Sequence, residues 1–527
     1  VYLKPNVLVE PLFNQWYAWS HLIAPPTAAL YIANQHLKVM QSFVAAPQIH
    51  ISALKNPAMI GGPFINYDAA RVPEIKALIE QTARECALMV ELSKAIKRLD
   101  ETLLNEANGY SLEPLYEKVP DLLKGYVELV YDLNNQPSIR FIEGLFYTSP
   151  FYDTSSQSIS MSLVEGDDRP FVFSTPRLKS DGNLHLDVPF AGDALVELFK
   201  MKETPAPYGH IRELLGVGAE DASLFSTFFH EQAPPRRAPF EGDGVRVRYF
   251  GHACVLIETR ETSVLVDPVI SYHFDGATDR YTYADLPETI DYVLITHGHQ
   301  DHCMFEPLLQ LRHRIKHLVV PKNNGGALAD PSLKLALRAI GFPQTVEIDE
   351  MEAIEIPGGR IVSLPFLGEH ADINVRTKTA YFVRLLNNAI FMGADSNNIE
   401  PRLYEHIRRA VGDLDLLFLG MECDGAPMSW MYGPLMTKPV VRKIDQSRRF
   451  DGSDYRKGIE IVNVMNPKQV FVYAMGQEPW LTFLTSIVYT PESRPIVESD
   501  RLVEDCLRKG LRAERLLGHK EILLGQR

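Results

Sequence analysis

Three histidines and an aspartate fall within one short run, His297-Gly298-His299-Gln300-Asp301-His302. Imidazole nitrogen and carboxylate oxygen are the donors that hold divalent first-row metals. Histidines at i and i+2, followed by Asp and His at i+4 and i+5, cannot share one helix face. On a tight loop at a strand end they diverge, so the spacing suits two metals. The bland alternative is a surface loop that carries three histidines by coincidence. With 16 His in 527 residues, three of them packed beside an Asp is an uncommon coincidence.

The elements around the run must hold it. YVLITH (292–297) reads as an apolar strand that feeds directly into it. VRVRYF (245–250), CVLIET (254–259), SVLVDP (263–268) and HLVVP (317–321) are expected strands on the same grounds. So are RIVSLPF (360–366), AYFVRLL (380–386), AIFMGAD (389–395), LDLLFLG (414–420) and QVFVYAMG (469–476). Helices fit 332–340, 400–411, 438–449 and 453–464. Strands interleaved with helices predict an α/β or α+β architecture. The Pro- and Gly-rich stretch 233–244 breaks both patterns and predicts a linker. It divides an N-terminal accessory domain, 1–240, from a catalytic domain, 245–527. In the N-terminal part, residues 1–65 read as short strands and loops, 72–107 as one amphipathic helix or two in sequence, 113–133 as a helix, and 157–189 as strands.

This set resembles the metallo-β-lactamase superfamily. The carriers are the HxHxDH pattern after an apolar strand, YFGHACVLIET (249–259), SVLVDPVIS with Asp267-Pro268, and MGAD (392–395) ending in Asp395. The resemblance spans about 245–480 and implies an αββα sandwich of two mixed sheets, with Asp395 bridging two metals at its edge. Two departures matter. Where hydrolases of this fold offer a third His, PFLGEHADIN (365–374) offers Glu369 beside His370. Adjacent residues at an extended strand end point oppositely, so only one of the two is expected to face the metals. Where the last His is usual, the chain has Tyr473-Ala474-Met475-Gly476. A Glu for a His, and one His fewer, make the site harder, richer in oxygen and more open, which favours iron or manganese over zinc.

That pattern is similar to the di-iron β-hydroxylases of non-ribosomal peptide assembly lines. The resemblance implies His297, His299 and Glu369 on the first iron, Asp301 and His302 on the second, and Asp395 between them. It implies an oxo- or hydroxo-bridged di-iron cofactor, O₂ as co-substrate and an external electron donor. The expected reaction, in antibiotic biosynthesis, is β-hydroxylation of an aminoacyl group, aromatic and p-aminophenylalanine-like, held as a thioester on a carrier domain. A homodimer in the cytoplasm is implied as well. Glu369, Asp395 and Glu422 are the expected catalytic carboxylates, with Glu422 either hydrogen-bonded to a ligand or a plain loop carboxylate. The alternative is a zinc hydrolase of an ester, lactone or phosphodiester, with metal-bound hydroxide as nucleophile. Flavo-di-iron proteins share fold and metal but typically place Glu where this chain has His299.

The remaining candidates read more plainly. His252 is expected to support or pack rather than ligate. Asp267 is expected to order the motif loop, and Cys303 to be a buried small apolar residue. Trp430, Met431 and Tyr432 either wall a substrate channel or belong to the core. Arg236 and Arg237 in the linker are expected to be solvated. Net charge is −14, which disfavours binding to nucleic-acid phosphates. Five cysteines without a CxxC pair do not suggest a disulfide framework. No long apolar run predicts a membrane span, and the N-terminus lacks the pattern of a signal peptide.

Overall fold

The computed structural model describes residues 1–56, 59–235, 239–274, 276 and 278–525; Arg236 and Arg237 lie outside them. Two seven-stranded mixed sheets stack face to face. In the first, the order is Thr345–Ile348, Ile315–Pro321, Ile290–Leu294, Ser263–Val266, Cys254–Glu258, Val245–Gly251 and Lys520–Leu524. In the second it is Ala353–Ile356, Gly359–Leu364, Ala380–Leu385, Asn388–Met392, Leu414–Gly420, Pro467–Tyr473 and Arg512–Arg515. Alternate residues of these strands form the dry layer between the sheets: Val247, Val255 and Val264 from one, Tyr381, Val383, Ile390 and Phe418 from the other. Strands buried on both faces read as nearly unbroken apolar runs, which is why they were legible in the sequence.

Helices cover both outer faces, giving the expected αββα layering. Arg402–Val411, Tyr455–Met465 and Arg494–Arg508 pack on the second sheet through Ile407, Ile461 and Leu502. Phe305–Leu311 and Leu333–Ala339 pack on the first, inside a large apolar cluster that continues into the N-terminal residues.

Those N-terminal residues depart from expectation in two places. Residues 1–17 are strands, but 20–53 are mainly helical, ending with Pro47–Ala53. Its apolar residues are buried nearly all round up to Ile32, which erases the one-sided periodicity that marks a surface helix. Residues 113–133 are not a helix: two short 3-10 turns, with Pro114 and Pro120 at their starts, lead into the strand Val127–Tyr131. The 72–107 stretch is two helices, Val72–Glu85 and Ala87–Glu106. The helix expected at 438–449 is only Arg442–Ser447.

A polar network joins the N-terminal part to the sandwich. Arg169 lies 2.7 Å from both Glu10 and Glu306, and Arg177 forks onto Glu10. Tyr17 and Tyr272 donate their hydroxyls to Glu306. Burial opposes ionisation of Glu10, yet the two guanidiniums outweigh it and bring the carboxyl down to about 2.

Candidate metal centre

In each sheet the four strands on one side run parallel, so their C-terminal ends meet at one edge of the sandwich. Ligands in open α/β sheets gather at such ends. Asp267 follows Ser263–Val266, His297–His302 follow Ile290–Leu294, Asp395 follows Asn388–Met392, and Glu422 follows Leu414–Gly420. The chain turns sharply there. His252, Asp267, Glu369, Ala394 and Ala474 all have positive φ, between 41° and 66°. Non-glycine residues held so cost about 1–3 kcal/mol each and cluster where function fixes geometry. Gly420 serves the same edge: a Cβ there would lie 2.4 Å from the Ala394 carbonyl oxygen, so only glycine lets the two strand ends close beside Asp395.

All the sequence-chosen donors converge. Three groups of potential ligand atoms lie within 4.8 Å of one another: His297, His299 and Glu369; His297, His302 and Asp395; His252, Asp301 and His302. Asp395 Oδ2 stands 3.0 Å from His302 Nε2 and 3.7 Å from His297 Nε2, between the two imidazoles. Glu369 Oε1 faces His299 Nδ1 at 3.1 Å. His370 belongs to none of these groups, and its ring lies tilted against that of His299, 4.6 Å away between centroids. The reason is a turn rather than an extended strand end: Gly368, Glu369, Ala371 and Asp372 are all left-handed, which turns the Glu369 carboxylate inward.

Hydrogen bonds orient the imidazoles. Asp267 accepts from the Thr296 N–H at 2.7 Å, the Thr296 hydroxyl at 2.5 Å and His302 Nδ1 at 2.7 Å. With its own hydrogen committed to Asp267, the Thr296 oxygen accepts from His297 Nδ1 at 3.0 Å. Both histidines therefore turn Nε2 toward Asp395. Asp267 thus orders the loop, as expected. His252 behaves differently. The Gly476 N–H donates to its Nδ1 at 3.1 Å, so the proton sits on Nε2, 3.3 Å from Asp301 Oδ2. His252 thus faces Asp301 as a close polar contact, its Nε2 making no hydrogen bond, from beside the stretch where the usual last histidine is missing. His519 instead packs on Tyr281.

The donor set fits metal ions. Burial, reinforced by the neighbouring imidazoles, keeps His297 far below its usual pKa; burial brings His299 down to about 4. Burial, then Asp395, Glu422 and Asp301, drive Glu369 far up. Burial also opposes ionisation of Asp301, but His302 and His252 outweigh it and hold it low. His297 Nε2 and Asp395 Oδ1 are buried without hydrogen-bond partners. Burial opposes charge on His302, but Asp395, Asp301 and Asp267 outweigh it and hold its pKa far above the usual value. The carboxylates thus already draw positive charge to the centre. With the neutral lone pairs of His297 and His299 beside them, the donor set calls for cations there.

A chamber of about 150 Å³ opens above these residues. Its floor is His299, Asp301, Glu369, Asp395 and Glu422; Phe171, Phe173, Trp430, Phe450, Leu484 and Ile487 form apolar walls. Of the two alternatives left open for these residues, Trp430 and Met431 line the chamber, whereas Tyr432 is core. Burial and the nearby carboxylates push the Glu422 carboxyl well up, and no metal-competent group includes it. Sequence reasoning missed the N-terminal lining, Gln35, Gly61–Pro63, Phe171, Phe173 and Ser174. The only local signals are a Gly-Gly-Pro turn and the Phe-Val-Phe run, neither of which names a site. Cys303 is buried, as anticipated.

Comparison with known proteins agrees with this geometry. A family model described as the diiron non-heme β-hydroxylase N-terminal domain matches residues 2–234, and a β-lactamase superfamily domain matches 246–374. The chain is 39% identical to the 4-amino-L-phenylalanyl-[CmlP-peptidyl-carrier-protein] 3-hydroxylase of Streptomyces venezuelae, covering 98% of each. It superposes on the crystal structure of CmlA, a diiron β-hydroxylase from Streptomyces venezuelae, with a TM-score of 0.93 and 38% identity over 99% of both chains. A point variant of CmlA gives a TM-score of 0.91. The chain belongs to the diiron non-heme β-hydroxylases, oxygenases built on a β-lactamase-superfamily domain.

Proposed function

We propose that this enzyme hydroxylates the β-carbon of an aromatic aminoacyl group carried as a thioester on a peptidyl carrier domain. The observation that carries this reading is a two-metal donor set beneath an aromatic-walled chamber, in a chain matching an aminoacyl-carrier 3-hydroxylase along its whole length. His297, His299 and Glu369 would hold one iron, Asp301 and His302 the other, with Asp395 between them. When bound, two irons would activate O₂, which with two external electrons and two protons places one oxygen atom in a C–H bond and releases the other as water. The protein's part is placement. Phe171, Phe173, Trp430 and Phe450 offer faces for an aromatic side chain. Glu422, outside the metal-competent groups, receives the substrate ammonium and aims the β-carbon at the floor. Asp267, Thr296 and His252 keep the ligands oriented.

Residues 1–240 act as an accessory domain that closes the chamber, and 245–527 carry the chemistry. The enzyme works in the cytoplasm as a homodimer, drawing electrons from a separate donor; no helix among the described residues is long and apolar enough to cross a membrane. Metal analysis with single-turnover O₂ chemistry on an aminoacyl-carrier substrate tests the reading. About two irons per chain and a β-hydroxylated product are expected. Two zincs with ester cleavage would favour the hydrolase, and O₂ consumption without hydroxylated product would remove the substrate assignment alone.

A further inference from the structure

The segment 438–449 carries Lys438, Arg442, Lys443, Arg448 and Arg449 against a single acid, Asp445, in a chain whose net charge is −14. Asp445 does not dilute that charge outwardly. Its carboxylate accepts from the Ser429 N–H at 2.9 Å and the Ser429 hydroxyl at 2.7 Å. Arg448 donates inward to the Ala371 carbonyl, and Arg449 stands 4.0 Å from Asp424. Lys438, Arg442 and Lys443 are left exposed, with no ion-pair partner among the described residues. Between them Val441 and Ile444 are 65% and 47% exposed. A cationic face with an apolar centre is thus turned outward on a short helix, left exposed by the described residues.

Its position gives it meaning. The Asp445–Ser429 bonds tie this helix to the helix Met428–Tyr432, which places Trp430 and Met431 in the chamber wall. The segment runs directly into Phe450, another wall residue, whose N–H donates to the Ala426 carbonyl, also in the wall. The cationic face is therefore built on the chamber's own wall. We infer that Lys438, Arg442 and Lys443, with Val441 and Ile444, form the docking surface for the carrier domain that delivers the aminoacyl thioester. This rests on the carrier-bound substrate proposed above. A thioester on a phosphopantetheine arm must enter through the chamber mouth, and the arm's phosphodiester stays outside as a fixed negative charge. Lysine and arginine on a segment tied to the chamber wall match that anion. An acidic electron-donor protein is the competing partner. Electrons tunnel through the fold and need no particular mouth, whereas the substrate arm does.

The test is binding of the full-length, iron-loaded enzyme to a fluorescent carrier domain bearing 4-amino-L-phenylalanine, against R442E/K443E. The expected result is a Kd raised on the order of tenfold or more, with a shallower salt dependence, because surface charges act through long-range attraction. Affinity for the untethered 4-amino-L-phenylalanyl-pantetheine thioester, which lacks the phosphate, should be unchanged. A Kd for the loaded carrier within twofold of the parent overturns the inference. So does equal weakening toward the pantetheine thioester, which would mean a damaged chamber. Slower reduction by a donor protein, with carrier affinity intact, would assign the face to that partner instead. If the parent enzyme itself ignores the loaded carrier, the carrier-bound substrate fails and not merely its docking face.

Discussion

Asp267→Asn is the most informative perturbation of the centre, because it changes one atom and leaves every proposed ligand in place. Asp267 is fully buried and accepts three hydrogen bonds, two of them from Thr296 and one from His302 Nδ1. An amide offers one acceptor and one donor where a carboxylate offers two acceptors. Its oxygen must keep the Thr296 N–H, which has no alternative partner in that turn, so its NH₂ falls where His302 Nδ1 points. His302 then changes tautomer to accept from the amide, and its proton moves to Nε2, the atom aimed at Asp395. A protonated nitrogen cannot ligate. Loss of such a supporting partner lowers metal affinity about 10- to 100-fold, or about 1.4–2.7 kcal/mol. The assay is iron per chain under competition from a chelator of known affinity, with unfolding of the metal-free proteins as the control for folding. One iron should become labile and the other should not. If both irons of Asp267→Asn resist the chelator within twofold of the parent, the tautomer argument is wrong. On a His302→Ala background the substitution should add almost nothing, since the imidazole it acts through is gone.

The Glu369–His370 pair separates cleanly: Glu369→Ala should lose tightly held iron, while His370→Ala keeps its full metal content by elemental analysis, and the reverse pattern would reassign the ligand. His36, stacked on Trp16, is held neutral by burial, down to about 3. The unfolded chain takes up that proton near pH 6.5, so this stabilisation is complete above pH 6.5 and drains away as pH falls toward 3, costing about 2 kcal/mol by pH 5. Urea unfolding between pH 7 and pH 5 should therefore depend less on pH in His36→Gln than in the parent; parallel slopes would exclude it. Arg169→Met removes the shared partner of Glu10 and Glu306 across the junction. Glu10 keeps Arg177, but Glu306 keeps only the two tyrosine hydroxyls, so about 3–5 kcal/mol should be lost in denaturant unfolding. An unchanged midpoint would show the network to be dispensable.

The proposed ligands were readable from the chain alone because they are local. His297 to His302 sit in one loop after an apolar strand, Asp395 ends another such strand, and strands buried on both faces announce themselves as apolar runs. Glu369 was readable only as one of two neighbours, since backbone sign at Gly368, Glu369 and Ala371 decides which side chain turns inward, and side-chain type does not encode it. What periodicity could not supply were relations between distant residues. The Gly476 N–H sets the tautomer of His252 across more than two hundred residues, turning a histidine that lies among metal donors into a close polar contact of Asp301. The chamber wall comes from Gln35, Gly61, Phe171 and Phe173 meeting Trp430 and Phe450, which are joined only when the N-terminal helices pack on the first sheet. Local sequence determines which atoms can bind metal; only long-range packing decides which of them face the centre, which support it, and what encloses the substrate.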